Sequence, residues 1–344
     1  KYMRNHWSVF IIIAIILFSL VVLRFIIRNP GSLQPASSIE SNISSLSTLY
    51  LLGGGERPEN NTLVSTINGI DWRVISSSLP FSPRTNQTFL PWKNGFIVFG
   101  GYGYNNGSFN FGDVWYSKDG LNWSQILDRA PWEARSGNAG LLYKDTLYLI
   151  GGETYNASGS NFYNDVWKST DGVHWVREKN APWLPRSVGK AVVFKNKIWI
   201  IGGGSYSLGA DGTYTFNTYK DVWSFDGTSW KKELDQAPWD ALGPQSALVY
   251  GENLYVIADD GLNSNVSVWS TKDGVNWVEA SSPPNFPQYN FTSFVWAGKM
   301  WLAGGTRDEE EYNGLWGSTN GIDWQDSRIA IPAFAGEGHG AVVR

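Results

Sequence analysis

Three arginines in this 344-residue chain recur at one position of a short motif and could bind an anion together. They are Arg84, Arg135 and Arg186. Each follows the aromatic residue of a Pro-Phe or Pro-Trp pair by three positions. A guanidinium group presents a fork of N–H donors that matches a carboxylate, and an aromatic ring can cover the apolar face of a ligand. One interpretation of the motif is therefore an asymmetric cationic pocket for a carboxylate or a sugar acid.

The stacking side chains of such a pocket would be three tryptophans, Trp132, Trp183 and Trp239. The motif is incomplete after Trp239, because Leu242 takes the place of the arginine, and the last two copies have Gln288 and Gly336 there. The alternative interpretation is structural. Each arginine would pair with a carboxylate or carbonyl group of the protein, and each Pro-Trp would pack between repeats. Repetition at equivalent positions favours this alternative, because packing requirements recur with the repeat.

Few other side chains could support catalysis. His339 could form an acid–base pair with Glu337, but no nucleophile accompanies them, and a chain with three histidines is poorly equipped for a His-rich metal site. The chain has no cysteine, which excludes disulfides, thiolate metal ligands and cysteine nucleophiles. We therefore predict no catalytic residue, no metal and no cofactor, and we favour a binding protein over an enzyme.

The elements that position these residues come from a repeat. Six tryptophans close successive copies of D-V-W-x-S-x-D-G-x-x-W or of a weaker version of it, namely Trp72, Trp123, Trp175, Trp230, Trp277 and Trp324. Their spacing of 47 to 55 residues is typical of propeller blades. The Asn-Gly or Asp-Gly of each copy predicts a type I′ turn between two short strands. Another strand pair, in which the second strand ends in Gly-Gly in most copies, brings the total to four strands per copy.

In these features the chain resembles the kelch-repeat family of β-propellers, in its bacterial or archaeal exported form. The blades of that family carry a Gly-Gly strand end and a spaced aromatic pair. The resemblance covers residues 48–344 and implies an all-β, six-bladed propeller with four-stranded blades. It implies no single function. Some kelch-like propellers are sialic acid mutarotases, so the resemblance is also compatible with a sugar-acid ligand.

The two ends of the repeat region predict how the ring closes. The last copy ends with residues 339–344, which supply only the first strand of a blade. The missing second strand is 48–52, at the start of the repeat region. We therefore expect these two strands to share one blade, so that no open edge remains in the ring. Residues 48–344 are assigned to the propeller.

Strand order assigns the loops to two faces of the ring. The turns between strands 1 and 2 and between strands 3 and 4 lie on one face, which we call the short-turn face. The loops between strands 2 and 3 and the crossings between blades lie on the other, the variable face. The longest of these loops are 102–112, 153–164 and 205–219. Proteins commonly place their binding residues on loops of variable length that a rigid scaffold holds in position. We therefore predict a binding surface on the variable face.

Residues 1–28 contain an N-terminal tail and a predicted transmembrane helix. Residues 8–23 carry no charge, and a helix from Trp7 to Ile27 would be about 30 Å long, enough to span the hydrocarbon core. The expected anchor residues are Trp7, Phe10, Ile13, Ile16, Phe18, Val21 and Leu23. A cleaved signal peptide is the alternative, but the apolar stretch is long and no A-x-A site follows it. Residues 29–47 form a linker rich in Pro, Ser and Gly.

The orientation of this helix is not decided by charge, because Lys1 and Arg4 on one side balance Arg24 and Arg28 on the other. A short tail before a large domain favours a cytoplasmic N-terminus and a periplasmic or extracellular propeller. Eight N-x-S/T sequons agree with an exported domain. The linker enters from the short-turn face, so we expect that face to lie nearer the membrane.

Two functional hypotheses follow. The first is a non-catalytic interaction or scaffold subunit of a membrane complex. Its partners would be the lipid bilayer and other membrane subunits, which it would contact through the transmembrane helix and the propeller. The alternative is a sugar-acid binding protein or mutarotase-like enzyme that uses the propeller pore, with carbohydrate as its ligand. Nucleic acid is excluded as a partner, because the net charge is −4 and the folded part has no basic stripe.

Overall fold

The computed structural model describes residues 47–344, except 54–60, 106–107, 157–158, 210–212, 240–242, 260–265, 284, 309 and 333–339. The predicted membrane anchor and His339 lie outside the described residues. Within the part of the chain that is described, no helix is long and apolar enough to cross a membrane. The anchor and its orientation stay predictions from the sequence.

The described residues form 28 β-strands. In chain order they are β1 (Leu49–Leu52), β2 (Leu63–Thr66), β3 (Arg73–Ser76), β4 (Thr88–Trp92), β5 (Gly95–Phe99), β6 (Tyr102–Asn105), β7 (Ser108–Asn110), β8 (Val114–Ser117), β9 (Trp123–Leu127), β10 (Ala139–Tyr143), β11 (Thr146–Asn156), β12 (Gly159–Ser169), β13 (Val176–Arg177), β14 (Ser187–Phe194), β15 (Lys197–Leu208), β16 (Tyr214–Phe225), β17 (Trp230–Leu234), β18 (Gly243–Tyr250), β19 (Asn253–Asp259), β20 (Val266–Thr271), β21 (Val278–Ser281), β22 (Thr292–Trp296), β23 (Lys299–Ala303), β24 (Thr306–Arg307), β25 (Glu310–Glu311), β26 (Leu315–Ser318), β27 (Gln325–Asp326) and β28 (Gly340–Val343).

Six four-stranded antiparallel sheets are the blades of a β-propeller, as predicted. Blade 1 has the strand order β28-β1-β2-β3. Blades 2 to 6 are β4-β5-β8-β9, β10-β11-β12-β13, β14-β15-β16-β17, β18-β19-β20-β21 and β22-β23-β26-β27. Small two-stranded hairpins, β6-β7 and β24-β25, follow the second strands of blades 2 and 6. The first strands of neighbouring blades contact one another all around the ring, so they are the innermost strands.

Blade 1 closes the ring by pairing the two ends of the propeller. β1 lies antiparallel to β28, with Leu49 opposite Val343 and Leu52 opposite Gly340. The backbone N–H of Arg344 donates to the carbonyl of Thr48 at 2.9 Å, which extends the ladder by one pair. In the other blades a covalent turn joins these two strand positions. Here only hydrogen bonds and packing join them.

The apolar core is divided among the interfaces between neighbouring blades. The second strand of each blade is covered on both faces, so it reads as a continuous apolar run rather than an alternating one. All five residues of β5 are buried. At the interface of blades 3 and 4, Tyr148 and Ile150 pack with Ile198 and Ile200. Six such clusters hold the ring together.

The turns between strands 3 and 4 differ from the predicted type I′ turn, which needs a positive φ at both central residues. In blade 2 only Gly120 has a positive φ, at 80°, and Asp119 acts through its side chain instead. Its Oδ1 accepts hydrogen bonds from the backbone N–H of Leu121 at 2.9 Å and of Asn122 at 2.8 Å. The type I′ prediction was therefore wrong here, because the short acidic side chain supplies the turn's hydrogen bonds.

Candidate functional site

Arg135 lies in the crossing from blade 2 to blade 3, and only 1% of it is exposed. Its Nη1 and Nη2 donate to the two carboxylate oxygens of Asp165 at 2.5 and 3.1 Å. Nη1 also donates to the carbonyl of Gly151 at 3.1 Å, and Nε to that of Glu133 at 2.9 Å. The ring of Tyr163 lies 3.9 Å from the guanidinium carbon. Protein groups thus contact this cation along its edges and on one face.

Arg84 and Arg186 repeat this arrangement in the preceding and the following crossing. Arg84 forms a bidentate pair with Asp113 at 2.6 and 2.9 Å, and Arg186 forms one with Asp221 at 2.5 and 3.1 Å. An aromatic ring two residues before each aspartate stacks on the guanidinium group. Burial alone raises the pKa of the Asp113 carboxyl group, but the hydrogen bonds and charge of Arg84 outweigh it, so this pKa lies below its usual value.

The Gly-Gly pair at the end of the second strand forms the socket for these arginines. Gly151 and Gly152 have φ values of 60° and 102°, which L side chains rarely adopt. A Cβ atom on Gly152 would lie 2.7 Å from the carbonyl oxygen of Ser136. The Gly151 carbonyl accepts from Arg135, while the Gly152 N–H donates to the carbonyl of Arg186 at 3.0 Å. The glycine pair therefore links two successive crossings.

The three candidate tryptophans are buried between blades. Each packs edge to face on the closing tryptophan of the following blade. The ring-centroid distances are 4.4 Å for Trp132–Trp175, 4.4 Å for Trp183–Trp230 and 5.0 Å for Trp239–Trp277. Phe81 and Phe286 make the same contact with Trp123 and Trp324, at 5.2 and 5.1 Å. The Pro-aromatic motif thus places an aromatic wedge at the blade interfaces.

The structure brings the candidate arginines and tryptophans to the blade interfaces, where they make the contacts that the structural interpretation describes. One signal in the sequence pointed to these contacts and was missed. The copies that lack the arginine also lack the aspartate of D-V-W, and have Thr62, Ser267 or Gly314 at that position. In blade 5 the indole N–H of Trp269 accordingly donates to Ser267 Oγ at 2.9 Å. Arginine and aspartate are therefore present or absent as a pair.

A cavity of about 450 Å³ lies on the ring axis and is lined by residues from the first half of all six inner strands. Each inner strand begins at the variable face, so the cavity lies toward that face. None of the candidate arginines and tryptophans lines it. The residue four positions after the arginine site contributes to the lining in every blade, as Thr88, Ala139, Lys190, Ser246, Thr292 and Gly340. Five of the six are small and uncharged, and they leave room on the axis.

Lys190 is the one cationic side chain among the described residues that line the cavity. The residue is half-buried and makes no ion pair within the described part of the chain. Burial lowers the pKa of its amino group, and no nearby carboxylate offsets this. An ammonium group in such a place is stabilised by an anion that enters the cavity. Sequence reasoning missed Lys190, because a single lysine before an apolar strand looks like a solvated strand end.

Two amide side chains that also line the cavity have polar atoms without hydrogen bonds among the described residues. Both the Oε1 and Nε2 atoms of Gln87 are buried without a hydrogen bond among the described residues. The same is true of the Oδ1 atom of Asn138, whose Nδ2 donates to Thr88 Oγ1 at 3.2 Å. Buried polar atoms are nearly always hydrogen-bonded, to protein, water or ligand. Both residues line the cavity, so a rotation of either side chain would offer these atoms to a polar molecule there.

Among the described residues, Glu153 is the one acidic residue that lines the cavity, and it lies just after the Gly-Gly bulge of blade 3. Burial raises the pKa of its carboxyl group, against the hydrogen bonds that it forms with Ser160, Ser187 and Tyr206. The hydroxyl groups of Ser160 and Tyr206 are also hydrogen-bonded to each other. The mouth of the cavity thus presents a carboxyl group that protonates more readily than an exposed one.

The second feature of the variable face is a pair of long hairpins. β11-β12 and β15-β16 continue past their Gly-Gly bulges, at Ile150/Gly152 and Ile201/Gly203. Aromatic rings contact one another along these two hairpins and the hairpin of blade 2. We call these five residues the aromatic crest: Tyr102, Tyr155, Phe162, Tyr206 and Phe216. Phe216 is 74% exposed. These ring contacts connect the hairpins of blades 2, 3 and 4.

No metal site is evident in the described residues, since no three His, Asp or Glu side chains there could hold an ion together. No protein-family model matches the sequence. No curated protein matches it either. The solved structure of YjhT is similar, with a TM-score of 0.61 and 16% sequence identity over 81% of this chain and 94% of that chain. At this identity the likeness shows the propeller fold and nothing of the function.

Proposed function

We propose that the propeller is a binding module whose axial cavity holds a small polar molecule with a carboxylate group. The observation that carries this proposal is Lys190, an ammonium group in the cavity wall that has no carboxylate partner among the described residues. A carboxylate oxygen would compensate the charge. After a side-chain rotation, the unbonded amide atoms of Gln87 and Asn138 would form hydrogen bonds with hydroxyl groups of the same ligand.

A sugar acid meets these requirements, because it combines one carboxylate with several hydroxyl groups. The cavity of about 450 Å³ lies within the usual size range of small-molecule sites. This proposal keeps the ligand class that the sequence suggested and assigns it to Lys190 instead of the crossing arginines. Glu153 at the mouth could exchange a proton with the ligand, and proton exchange is the chemistry that a mutarotase-like activity in the same cavity would need.

The test is a binding titration of the detergent-solubilised full chain with glucuronate and, as the neutral counterpart, glucose. We expect glucuronate to bind and glucose not to bind, and Lys190→Met to weaken glucuronate at least tenfold. Lys195→Met, which changes an exposed lysine on the opposite face, is the control and should bind as the parent chain does. Equal binding by Lys190→Met and the parent would reject the cavity as an anion site. Anomer exchange measured by NMR on the same samples separates catalysis from binding.

A second candidate function is protein interaction through the variable face, and the aromatic crest favours it. Exposed aromatic residues on rigid supports are typical of interface hot spots. Past the bulges, the described residues of the two long hairpins carry no charge except Glu153, so long-range electrostatics would contribute little to recognition. The partner would be another subunit of a membrane complex.

Co-purification from mild detergent tests this second function. Phe216→Ser should release the partner while leaving the fold unchanged, because the side chain is 74% exposed. Val176→Ser, at a residue 57% exposed on the outermost strand of blade 3, is the matched control and should retain the partner. A chain that always migrates alone, or a partner that survives Phe216→Ser, would count against the crest.

The membrane anchor belongs to the same proposal. The uncharged residues 8–23 support a single-pass helix with the N-terminus in the cytoplasm and the propeller outside it. Alkaline extraction of membranes tests the insertion, and protease protection tests the orientation. Release of the full chain by alkali would reject a transmembrane anchor, and cleavage of the propeller from the cytoplasmic side would reverse the orientation.

A further inference from the structure

An exposed aliphatic side chain follows the turn glycine in most blades. Position by position these residues are Ile70, Leu121, Val173, Thr228, Val275 and Ile322. Blade 4 is an exception because it has a threonine there, and blade 5 is an exception because Val275 is half-buried. Ile70, Leu121 and Ile322 are 65%, 55% and 55% exposed. Aliphatic side chains of this size are usually buried in the core, and the exposed positions of a turn usually carry polar side chains. The turn tips follow neither pattern. The turn tips therefore form a ring of apolar side chains on the short-turn face.

The turn backbone holds these tips in fixed positions. In blade 2, Ser117 Oγ accepts from the N–H of Gly120 at 2.8 Å, and Asp119 Oδ1 accepts from the N–H of Leu121 at 2.9 Å. The indole N–H of Trp123 donates to the Gly120 carbonyl at 2.8 Å. The same hydrogen bonds recur around Gly172, Gly274 and Gly321. Each aliphatic side chain is thus presented outward by a rigid turn.

The chain enters the propeller from this same face. β1 begins at Leu49, which pairs with Val343 at the end of the innermost strand, where the other blades have their short turn. The carbonyl of Ser47 accepts a hydrogen bond from the indole N–H of Trp296 at 2.8 Å, next to the short turn of blade 6. The polypeptide therefore enters the propeller at Ser47 on the side of the aliphatic tips.

Charge on this face is mixed. Lysines occupy several turns, for example Lys93, Lys118 and Lys272, but acidic residues such as Asp119 and Asp273 lie in the same turns. The acidic turn residues stay ionised, because hydrogen bonds from the turn backbone and from Asn276 hold the pKa of Asp273 below its usual range. The face has no excess of positive charge to recruit anionic lipids. Its attraction for a partner comes from the aliphatic tips.

We propose that the short-turn face rests on the surface of a bilayer of zwitterionic lipids, with the aliphatic tips in the headgroup region. This inference rests on the proposed membrane anchor. Each tip lies on the turn of a separate blade, and a bilayer accepts such separate insertions. A weak contact suffices, because a short tether raises the effective concentration of the face at the membrane to the order of millimolar. This contact would make the variable face, which carries the cavity and the aromatic crest, point away from the bilayer.

The absence of cysteine makes this proposal directly testable by site-specific labelling. Leu121→Cys and, on the variable face, Thr218→Cys are each labelled with an environment-sensitive fluorophore in the full chain. The labelled chains are reconstituted into phosphatidylcholine vesicles with and without a headgroup nitroxide lipid. We expect the nitroxide to quench the label at 121 at least twofold more than the label at 218. A label at Ile67→Cys should behave as that at 121.

Several outcomes would overturn the proposal, and each shows which part of it has failed. Equal quenching at 121 and 218 in a chain that floats with the vesicles rejects docking but keeps the anchor. A chain that does not float rejects the anchor and the docking together. Quenching at 121 that changes with the protein-to-lipid ratio indicates a second copy of the chain on this face. A triple variant labelled at position 121 should be quenched less, toward the level of the label at 218. It combines Ile70→Ser, Val173→Ser and Ile322→Ser. Unchanged quenching would reject the role of the tips.

Discussion

Arg135 and Asp165 form a two-pronged ion pair in which both side chains are shielded from water, with 1% and 8% of their surfaces exposed. Removing one member of such a pair leaves the other charge buried and uncompensated. Arg135→Ala should therefore lower the free energy of unfolding by about 3 kcal/mol. Denaturant titration of the detergent-solubilised chain measures this loss. Lys232→Ala, which breaks a solvent-exposed pair with Asp235, is the control and should change it by less than about 0.5 kcal/mol. Equal effects of the two changes would contradict the buried-pair argument.

Acid should destabilise the propeller through the equivalent pairs of Asp113 and Asp221. Burial raises the pKa of each carboxyl group, but the hydrogen bonds from the neighbouring arginine and tryptophan lower it by a larger amount. Both pKa values therefore lie below the usual value in the folded chain. A lowered folded pKa contributes stability above the unfolded pKa of about 3.9 and loses it as the pH falls through the folded value. Unfolding midpoints in urea at pH 5, 4, 3 and 2 should therefore fall. Asp113→Asn should have a shallower slope than the parent chain, and an identical slope would refute the assignment.

Lys190→Met should remove anion binding and stabilise the fold. Burial lowers the pKa of this amino group in the folded chain, so the charged form is penalised whenever the pH is below the unfolded pKa of about 10.4. The gain on substitution should be about 1 kcal/mol at pH 7 and should disappear as the pH rises toward that value. Thermal unfolding at pH 7 and pH 10 measures both. A destabilised Lys190→Met variant at pH 7 would mean that a protein carboxylate pairs with the amine.

Gly152→Ala should destabilise the ring much more than Gly251→Ala. Both glycines have positive φ values, 102° and 59°, but only Gly152 faces backbone, with the Ser136 carbonyl 2.7 Å from an added Cβ atom. Gly251 has nothing within 4 Å. We expect a loss of about 3 kcal/mol or more for Gly152→Ala and about 1 kcal/mol for Gly251→Ala. Chemical denaturation of both variants decides, and similar losses would mean that the bulge relaxes without cost.

The fold could be predicted because one pattern recurs at a fixed spacing. The closing tryptophans gave the blade count, and the unfinished last copy gave the closure of β28 on β1. The turn between strands 3 and 4 could not be predicted from Asp-Gly alone. An aspartate can satisfy a turn through its side chain or through a left-handed backbone, and Asp119 takes the first course.

The site was harder to predict than the fold. The sequence singled out Arg135 because its motif repeats, and the structure pairs it with Asp165 at a blade interface. Lys190 stood apart because it does not repeat, and only the closed ring shows that it shares the axis with Gln87 and Asn138. In a repeat protein, packing residues recur in most copies, whereas a site on the symmetry axis can be built from single exceptions. Departures from the repeat are therefore the better pointer to a ligand.

Blade 1 also joins the first strand of the described propeller to its last one, so the two are synthesised far apart in time. At about 5–20 residues per second, the stretch between Leu52 and Gly340 takes roughly 15 to 60 s to synthesise. Throughout that interval β1 presents an unpaired strand edge, which can capture a strand from another chain. The hazard of misassembly during biosynthesis is thus concentrated at one seam and ends when Gly340–Val343 arrives. A ribosome that stalls earlier releases a chain whose open edge distinguishes it from the finished ring, and this edge is what a chaperone or a quality-control protease could recognise.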